Sequence, residues 1–144
     1  KNDFRWGRGD IKVTSLMANG LLKNEALAEG FDDAVLIRDG EVTEATAANV
    51  FIVKDGVIAT PPKSPYLLHG ITRDHVVSLA KKANMPLDER ALTEDELLNA
   101  DEVWITSTGY EVWPVCQVND RFIGNGSAGV VWQEIDRLFQ SSKD

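Results

Sequence analysis

The sequence predicts a single mixed α/β (α+β) domain, and three observations support this fold class. Two Asp-Gly pairs, Asp39-Gly40 and Asp55-Gly56, each stand between β-forming residues, which is a strong hairpin signal. Apolar residues recur at helical spacing over 16–30, 71–85 and 130–140. The 144 residues are enough for one domain with a real core. We expect roughly six to eight strands and three or four helices.

Local signals place the elements along the chain. Gly30 is the expected end of the first helix, and Thr93 with Glu96 forms a capping-box pattern that begins a short helix. The predicted order is a strand over 8–14, a helix over 16–30, hairpins within 32–61, a loop over 60–70, a helix over 71–85, a strand over 86–92, a helix over 93–100, strands over 101–108 and 111–118, a turn-rich stretch over 119–129 and a helix over 130–140.

Composition and charge exclude several classes of protein. The formal net charge of −8 argues against a nucleic-acid binder and against attachment to an anionic membrane surface. The only cysteine, Cys116, excludes an intrachain disulfide, argues against a structural zinc site and is expected in a buried strand. No metal site is predicted. We expect a cytoplasmic location, and the first residue, Lys1, suggests a piece of a longer protein.

Two charged residues lie in sequence contexts where they could bind a ligand or take part in catalysis. Lys12 stands between Ile11 and Val13, where it is either a strand lysine that reaches water or an amine held for Schiff-base chemistry. Glu44 follows an Asp-Gly hairpin and precedes small residues, so it is either an exposed turn glutamate or an inward-facing carboxylate. Spacing alone favours the ordinary interpretation for both residues.

Two short segments could bind an anion such as phosphate. Gly70-Ile71-Thr72 opens a helix, where free N–H groups and the helix dipole meet; the alternative is an ordinary cap with Thr72 as the N-cap. The hydroxyl-rich segment 106–109 ends a predicted strand in a turn that could also cradle phosphate, although plain turn chemistry is the favoured explanation when it is taken alone.

Four segments together resemble the fold-type IV pyridoxal-phosphate aminotransferases, most closely the D-amino-acid aminotransferases: "RWGRGDIKVTSL", "VTEATAANVFIVKDGVIATP", "LLHGITRDHV" and "ADEVWITSTGYEVWPV". The resemblance covers essentially the whole chain. It implies that 1–144 is the family's C-terminal, cofactor-binding domain, a pseudo-barrel with a mixed sheet and flanking helices. It also implies that the family's N-terminal domain lies outside this chain.

The resemblance assigns the reactive end of a pyridoxal 5′-phosphate cofactor to three residues. Lys12 matches the lysine that forms a Schiff base with the cofactor and later moves the substrate proton. Glu44 matches the carboxylate that faces the pyridine nitrogen, which makes the ring an electron sink. Arg5 matches an arginine that supports this glutamate.

The resemblance assigns the remaining cofactor contacts to five residues. Leu68 matches a leucine that packs on the face of the ring. Ile71 and Thr72 match the amides at a helix start that hold the cofactor phosphate, and Ser107 and Thr108 match a hydroxyl-bearing loop that contacts the same phosphate. The two segments that could bind an anion therefore share one predicted ligand.

The implied reaction is transfer of an amino group between an amino acid and a 2-oxo acid, with D-alanine as the first expected donor and a homodimer as the expected assembly. Three alternatives stay open: an aminodeoxychorismate lyase, a branched-chain aminotransferase, and an inactive fragment that lacks its N-terminal domain. The sequence departs from the family where alanines and a threonine occupy 45–48 in place of glycine and serines, which bears on the substrate class.

Overall fold

The computed structural model describes residues 1–12 and 17–143, and this part of the chain confirms a mixed fold of helices and strands. It contains four helices and nine strands, one strand more than the upper expectation. In chain order they are α1 (Met17–Ala28), β1 (Val35–Arg38), β2 (Glu41–Ala45), β3 (Asn49–Lys54), β4 (Val57–Thr60), α2 (Ile71–Lys82), β5 (Leu87–Glu89), α3 (Glu94–Leu98), β6 (Glu102–Ser107), β7 (Glu111–Val115), β8 (Gln117–Val118), β9 (Arg121–Phe122) and α4 (Val130–Ser141).

The main sheet is mixed, with strand order β5-β4-β3-β6-β7. Its β4–β5 pair is parallel and its other pairs are antiparallel, while β1–β2 and β8–β9 form separate two-stranded sheets. Both predicted Asp-Gly hairpins are confirmed, because Asp39 (φ 52°) with Gly40 (φ 81°) and Asp55 (φ 49°) with Gly56 (φ 79°) turn the chain through two left-handed residues.

The main sheet carries a hydrophobic core on each face, because successive residues of a strand point to opposite sides. Val50 and Ile52 of β3 pack with Ile105 of β6 on one face. Phe51 and Trp104 lie on the other face, where their rings stack with centroids 5.6 Å apart beneath α2 and α4. This double burial fixes β3 and β6 as a platform, and the two strands present Asn49 and Thr106 opposite each other at one end.

The predicted strand over 8–14 is wrong for residues 8–12, which form a turn and a bend. Two contacts stabilise this shape. The amide of Ile11 donates to the carbonyl of Arg8 over 3.1 Å, and the Arg8 guanidinium binds Asp10, with Nε 3.0 Å from Oδ1. Local pairing of Arg8 with Asp10 therefore replaces the strand alternation that the sequence suggests. Val13 and Thr14 lie outside the described residues.

The predicted strand over 111–118 breaks at Cys116, which separates β7 from β8. The carbonyl of Cys116 accepts a hydrogen bond from the amide of Ile123 over 2.9 Å, so the chain leaves the main sheet to begin the β8–β9 hairpin. Cys116 is half-buried and lies between strands, which corrects its expected place in a buried strand.

Helix α1 buries only part of the apolar set that predicted it. Leu22 and Ala26 are buried, whereas Met17 (85%), Leu21 (51%) and Leu27 (52%) are largely exposed. The helix ends two residues before Gly30, whose φ of 90° stops it as predicted. Leu16 lies outside the described residues.

The other three helices lie where they were predicted. The capping box of α3 is present, since the Thr93 hydroxyl accepts from the amide of Glu96 and the Glu96 carboxylate accepts from the amide of Thr93. Helix α2 ends at Lys82, before Asn84 with its φ of 57°. Among the described residues no helix is both long and apolar enough to cross a membrane.

Candidate functional site

The site is built around a buried arginine near the start of the chain. Arg5 binds the Asp3 carboxylate with two parallel hydrogen bonds, Nε to Oδ1 and Nη2 to Oδ2, each 2.8 Å long. The amide of Asp3 donates to the carbonyl of Ile37 over 2.6 Å, which ties this segment to β1. The sequence assigned no role to Asp3, although its spacing of two residues from Arg5 places both side chains on one side of an extended chain.

Glu44, near the end of β2, is a buried carboxylate and not an exposed turn residue, since only 5% of its surface is exposed. Its Oε1 accepts from Arg5 Nη1 over 2.5 Å, and its Oε2 accepts from the amide of Leu68 over 3.1 Å. The structure thus brings three of the predicted site residues into direct contact.

The pKa values around this carboxylate follow from burial and charge. Burial raises the pKa of Glu44 above its ordinary value, and the opposing hydrogen bond from Arg5 offsets this only in part. Burial acts in the same direction on Asp3, but hydrogen bonds from Arg5 and Thr43 together dominate and hold the pKa of Asp3 well below its usual range. A further positive partner would therefore stabilise the ionised form of Glu44 more than that of Asp3.

A second guanidinium completes the charge balance. Arg38 Nη2 lies 3.3 Å from Asp3 Oδ1 and donates to the carbonyl of Arg5 over 2.6 Å. The Arg38 guanidinium also lies 4.6 Å from the centre of the Tyr66 ring. Two guanidinium groups therefore face two carboxylates, which lets this polar cluster stay buried.

The start of α2 carries no side-chain cap. Its N-cap is Gly70, so the alternative in which Thr72 caps the helix is wrong. The first intrahelical bond runs from the amide of Asp74 to the carbonyl of Gly70, which leaves the amides of Ile71 and Thr72 without intrahelical acceptors. Ile71 is 86% exposed, so this end of the helix is open to an anion.

A buried arginine anchors this helix start to the rest of the domain. Arg73 is 1% exposed and donates through Nη2 to the carbonyl of Pro61 over 3.0 Å and to Glu89 Oε1 over 2.8 Å. Asp74, the acidic residue of the first turn, is bound by Lys63 over 2.9 Å. Its negative charge next to an anion site is therefore countered locally.

The second predicted anion segment lies at the end of β6. Ser107 Oγ accepts from the amide of Tyr110 over 2.9 Å, which is the expected turn chemistry, and Thr108 is exposed. Thr106 lies opposite Asn49 in the β3–β6 register, and Asn49 Nδ2 donates to the carbonyl of Leu68 over 2.9 Å. The two predicted phosphate-contacting segments thus meet the same end of the main sheet.

Lys12 is exposed and does not lie on a strand. The segment that carries it runs along the loop before α2, since the amide of Asp10 donates to the carbonyl of Pro65 over 3.2 Å. Gly9 has no room for a side chain there, because a Cβ would lie 2.8 Å from the carbonyl oxygen of Tyr66. The structure therefore brings the lysine segment and the Leu68 segment together, although it leaves the amine in solvent.

The residues present fit a pyridine ring that carries a phosphate. A buried carboxylate suits a ring nitrogen, and an uncapped helix start suits a phosphate. The hydroxyl of Thr106, on the strand that leads to Ser107 and Thr108, is buried and has no hydrogen-bond partner among the described residues. It could therefore bind a polar group of a ligand at this end of the sheet. A separate cavity of about 820 Å³, lined in part by Phe31 and Trp113, includes none of the eight predicted residues in its described lining.

Comparison with known proteins decides the family. The sequence profile of the amino-transferase class IV family matches residues 1–118. The chain belongs to the class IV aminotransferases. This class IV domain is 43% identical to the D-alanine aminotransferase of Bacillus licheniformis over 98% of the chain and 50% of that relative. It is 38% identical to the D-alanine aminotransferase of Staphylococcus aureus (strain N315), over 96% of the chain and 49% of that relative.

Solved structures of the class confirm the fold. A branched-chain amino acid aminotransferase from T.th., complexed with N-(5′-phosphopyridoxyl)-L-glutamate, superimposes with a TM-score of 0.90 at 36% identity, over 98% of this chain and 50% of that one. The branched-chain amino acid aminotransferase of Escherichia coli gives a TM-score of 0.86 at 30% identity, over 97% and 50% of the two chains. This class IV domain thus spans about half the length of the curated relatives it matches.

Proposed function

We propose that this domain binds pyridoxal 5′-phosphate and belongs to an aminotransferase that moves an amino group from a D-amino acid, D-alanine first, to a 2-oxo acid. The observation that carries the proposal is the buried Glu44 carboxylate, held by Arg5 and by the amide of Leu68, beside the uncapped start of α2. Class membership supports the cofactor, since two matched structures are complexes, one with N-(5′-phosphopyridoxyl)-L-glutamate and one with pyridoxamine 5′-phosphate.

When bound, the cofactor supplies an electron-accepting ring that stabilises negative charge at the substrate Cα. Glu44 holds a proton at the ring nitrogen, because an ionised carboxylate stabilises the protonated form of its partner. Arg5 orients Glu44 by fixing Oε1, and the amide of Leu68 fixes Oε2. Leu68 itself packs against the ring, as the resemblance predicts.

Two backbone amides and two hydroxyls hold the phosphate in this proposal. The amides of Ile71 and Thr72 donate to it from the helix start, where the dipole favours negative charge. The hydroxyls of Ser107 and Thr108 approach from the end of β6. The geometry supports this division, since Ser107 uses a lone pair to accept from the amide of Tyr110 but keeps its proton for an acceptor.

Lys12 is the proposed catalytic residue. Its Nζ would hold the cofactor, and as an amine base it would move the proton at the substrate Cα. Lys12 is exposed in this domain, and in this proposal other parts of the assembly cover it. We propose a homodimer and an N-terminal domain of the intact protein as those parts, and a cytoplasmic location.

The sequence comparison supports the proposed substrate class. Identity to the D-alanine aminotransferase of Bacillus licheniformis is 43%, against 36% to the branched-chain aminotransferase with bound phosphopyridoxyl-glutamate. The structural agreement with that second protein, a TM-score of 0.90, favours a branched-chain amino acid as the second candidate donor. Transamination assays with D-alanine and with L-leucine as donor, each with 2-oxoglutarate as acceptor, distinguish the two candidate donor classes. Pyruvate release from aminodeoxychorismate without transamination would indicate the lyase instead.

The cofactor assignment is tested on the intact protein with added pyridoxal 5′-phosphate. We expect the visible absorbance of a lysine-bound cofactor, and borohydride should fix the label on the peptide that contains Lys12. Lys12→Ala should lose both signals. Lys82→Ala, at the exposed end of α2, is the matched control and should keep them. A borohydride-fixed label that persists in Lys12→Ala would contradict the assignment of Lys12. Transamination by residues 1–144 alone would contradict the inactive-fragment alternative.

A further inference from the structure

Leu68, three residues before the start of α2, is held through both its amide and its carbonyl. The amide of Leu68 donates to Glu44 Oε2 over 3.1 Å, and the carbonyl of Leu68 accepts from Asn49 Nδ2 over 2.9 Å. Glu44 and Asn49 flank the short connection from β2 to β3, which is closed by a 2.8 Å hydrogen bond from the amide of Ala45 to the carbonyl of Ala48. Residues on the two sides of this connection therefore bind both peptide groups of Leu68.

Asn49 is the more firmly fixed of the two residues that bind Leu68. It is 5% exposed, begins β3 and lies opposite Thr106 in the main sheet. Its side-chain oxygen packs against Gly70, where a Cβ would collide with Oδ1. The side-chain Nδ2 of Asn49 thus donates to the carbonyl of Leu68, and its Oδ1 sets the closest approach of Gly70, the N-cap of α2.

These contacts fix the spacing between the Glu44 carboxylate and the start of α2, which in the proposed function bind opposite ends of the cofactor. Glu44 is set against the amide of Leu68, and α2 begins three residues later. Asn49 restrains this short segment, because its Nδ2 donates to the carbonyl of Leu68, which also accepts from the amide of Gly70 over 3.0 Å, and its Oδ1 lies against Gly70. Arg73 also anchors the start of α2, so loss of both Asn49 contacts would loosen residues 68–70 relative to the carboxylate without releasing the helix.

We propose that Asn49 is a positioning residue that sets the distance between the Glu44 carboxylate and the phosphate-facing amides of Ile71 and Thr72. This proposal rests on the proposed function. Asn49 does not act on the reacting atoms. It makes the ring site and the phosphate site reachable at once by a rigid phosphorylated ligand, which is a gain in preorganisation.

The test compares pyridoxal 5′-phosphate with pyridoxal, which lacks the phosphate and therefore uses only the ring end. In the intact protein we expect Asn49→Ala to weaken binding of the phosphorylated ligand about tenfold, the size expected for one buried hydrogen bond. Binding of pyridoxal should change by no more than about twofold. An unchanged affinity ratio between the two ligands would overturn the proposal.

A second variant and a second readout keep the test independent of folding. Gly70→Ala disturbs the same contact from the other side and should lower the same affinity ratio. Hydrogen exchange without cofactor should speed up at residues 68–72 in Asn49→Ala and stay as in wild type elsewhere in the main sheet. Unchanged exchange at 68–72 would also overturn the proposal.

A matched control separates this inference from the proposed function. Asn99, on the surface after α3, donates through Nδ2 to the carbonyl of Asp95 and accepts from Arg121, so Asn99→Ala removes exposed asparagine bonds outside the site. It should leave both affinities unchanged. Wild-type protein that binds neither ligand would contradict the proposed function itself. Wild-type binding with an unaltered ratio in Asn49→Ala and Gly70→Ala would contradict only the role of Asn49.

Discussion

Arg5 and Glu44 lie 39 residues apart in the chain and form a buried ion pair, with Nη1 2.5 Å from Oε1. The same guanidinium binds Asp3 and donates to the carbonyl of Tyr66 over 3.0 Å. Arg5 thus joins the first residues of the chain, the end of β2 and the loop before α2. Arg5 holds one oxygen of the candidate Glu44 carboxylate, and the amide of Leu68 holds the other.

Replacing Arg5 should destabilise the domain strongly. Arg5→Met leaves Asp3 and Glu44 buried without their main partner, and loss of one member of a buried pair costs about 3–5 kcal/mol. Arg5→Lys keeps the charge but loses the planar fork, so we expect a smaller loss and weaker cofactor binding. Urea unfolding measures the first effect and cofactor titration the second.

The matched control is the exposed pair of Arg8 with Asp10, whose arginine side chain is 56% exposed. Arg8→Lys should leave the unfolding free energy unchanged within error, since exposed pairs contribute little. Equal effects of the Arg5 and Arg8 variants would contradict the central role of Arg5.

The raised pKa of Glu44 predicts a pH dependence of stability with a definite sign. A carboxyl whose pKa is higher in the folded chain contributes stability below its ordinary pKa of 4.5, and this contribution is lost as the pH rises through the folded value. Without cofactor, wild type should therefore lose stability relative to Glu44→Gln as the pH rises from about 4.5 through the folded pKa of Glu44.

Urea unfolding of both proteins at increasing pH gives the difference directly. Asp3 does not interfere, because its pKa lies below its ordinary value of 3.8 and its contribution is lost only as the pH falls below that value. Saturation with cofactor should flatten the curve, since a protonated ring nitrogen favours ionised Glu44. A difference that grows in favour of wild type with rising pH would contradict the expected sign.

Local patterns predicted most of the fold. The Asp-Gly hairpins and the capping box at Thr93 depend on residues within a few positions of each other, so a single sequence carries their signal. The break at Cys116 depends on a bond from Ile123, and the turn over 8–12 depends on the pairing of Arg8 with Asp10 and on a bond from Asp10 to the carbonyl of Pro65, contacts that periodicity does not encode.

The site was predicted through resemblance and not through spacing. Taken alone, Glu44 suggested an exposed turn glutamate, because nothing near it in sequence indicates that Arg5 will bind it. Asp3, Arg38 and Asn49 received no predicted role for the same reason, since each acts through partners that only the fold brings close. The roles of the eight predicted site residues stay predictions until binding is measured.

The packing of Gly9 predicts an effect on the lysine segment. A Cβ at Gly9 would lie 2.8 Å from the carbonyl oxygen of Tyr66, and this oxygen belongs to a backbone that Arg5 also holds. Gly9→Ala should push the segment of Lys12 away from the loop before α2. We expect weaker cofactor binding and slower formation of the lysine-bound absorbance.

Gly20 in α1 provides the opposite case. A Cβ there meets no atom within 4 Å, so Gly20→Ala should stabilise the domain by about 0.5–1 kcal/mol through helix propensity and leave cofactor binding unchanged. Thermal unfolding and cofactor titration of both variants compare the two glycines. Cofactor binding by Gly9→Ala with wild-type affinity and rate would show that the backbone contact at Tyr66 does not position Lys12.

Glu102 predicts a loss of stability that leaves the site intact. Its carboxylate accepts from the amides of Val131 (3.1 Å) and Trp132 (2.8 Å), so a residue of β6 caps the start of α4. Gly129, the N-cap, packs so closely on this carboxylate that a Cβ would collide with it. Glu102→Ala removes the acceptor and should lower the unfolding free energy by about 1–2 kcal/mol.

The effect should be confined to the α4 side of the sheet. Glu102 lies at the start of β6, whereas Ser107 at the other end of that strand belongs to the predicted phosphate contacts. Cofactor affinity should therefore match wild type below the unfolding temperature. Glu102→Gln keeps an acceptor without the charge and should recover part of the loss. A fall in cofactor affinity as large as that from Asn49→Ala would mean that α4 is coupled to the site through β6.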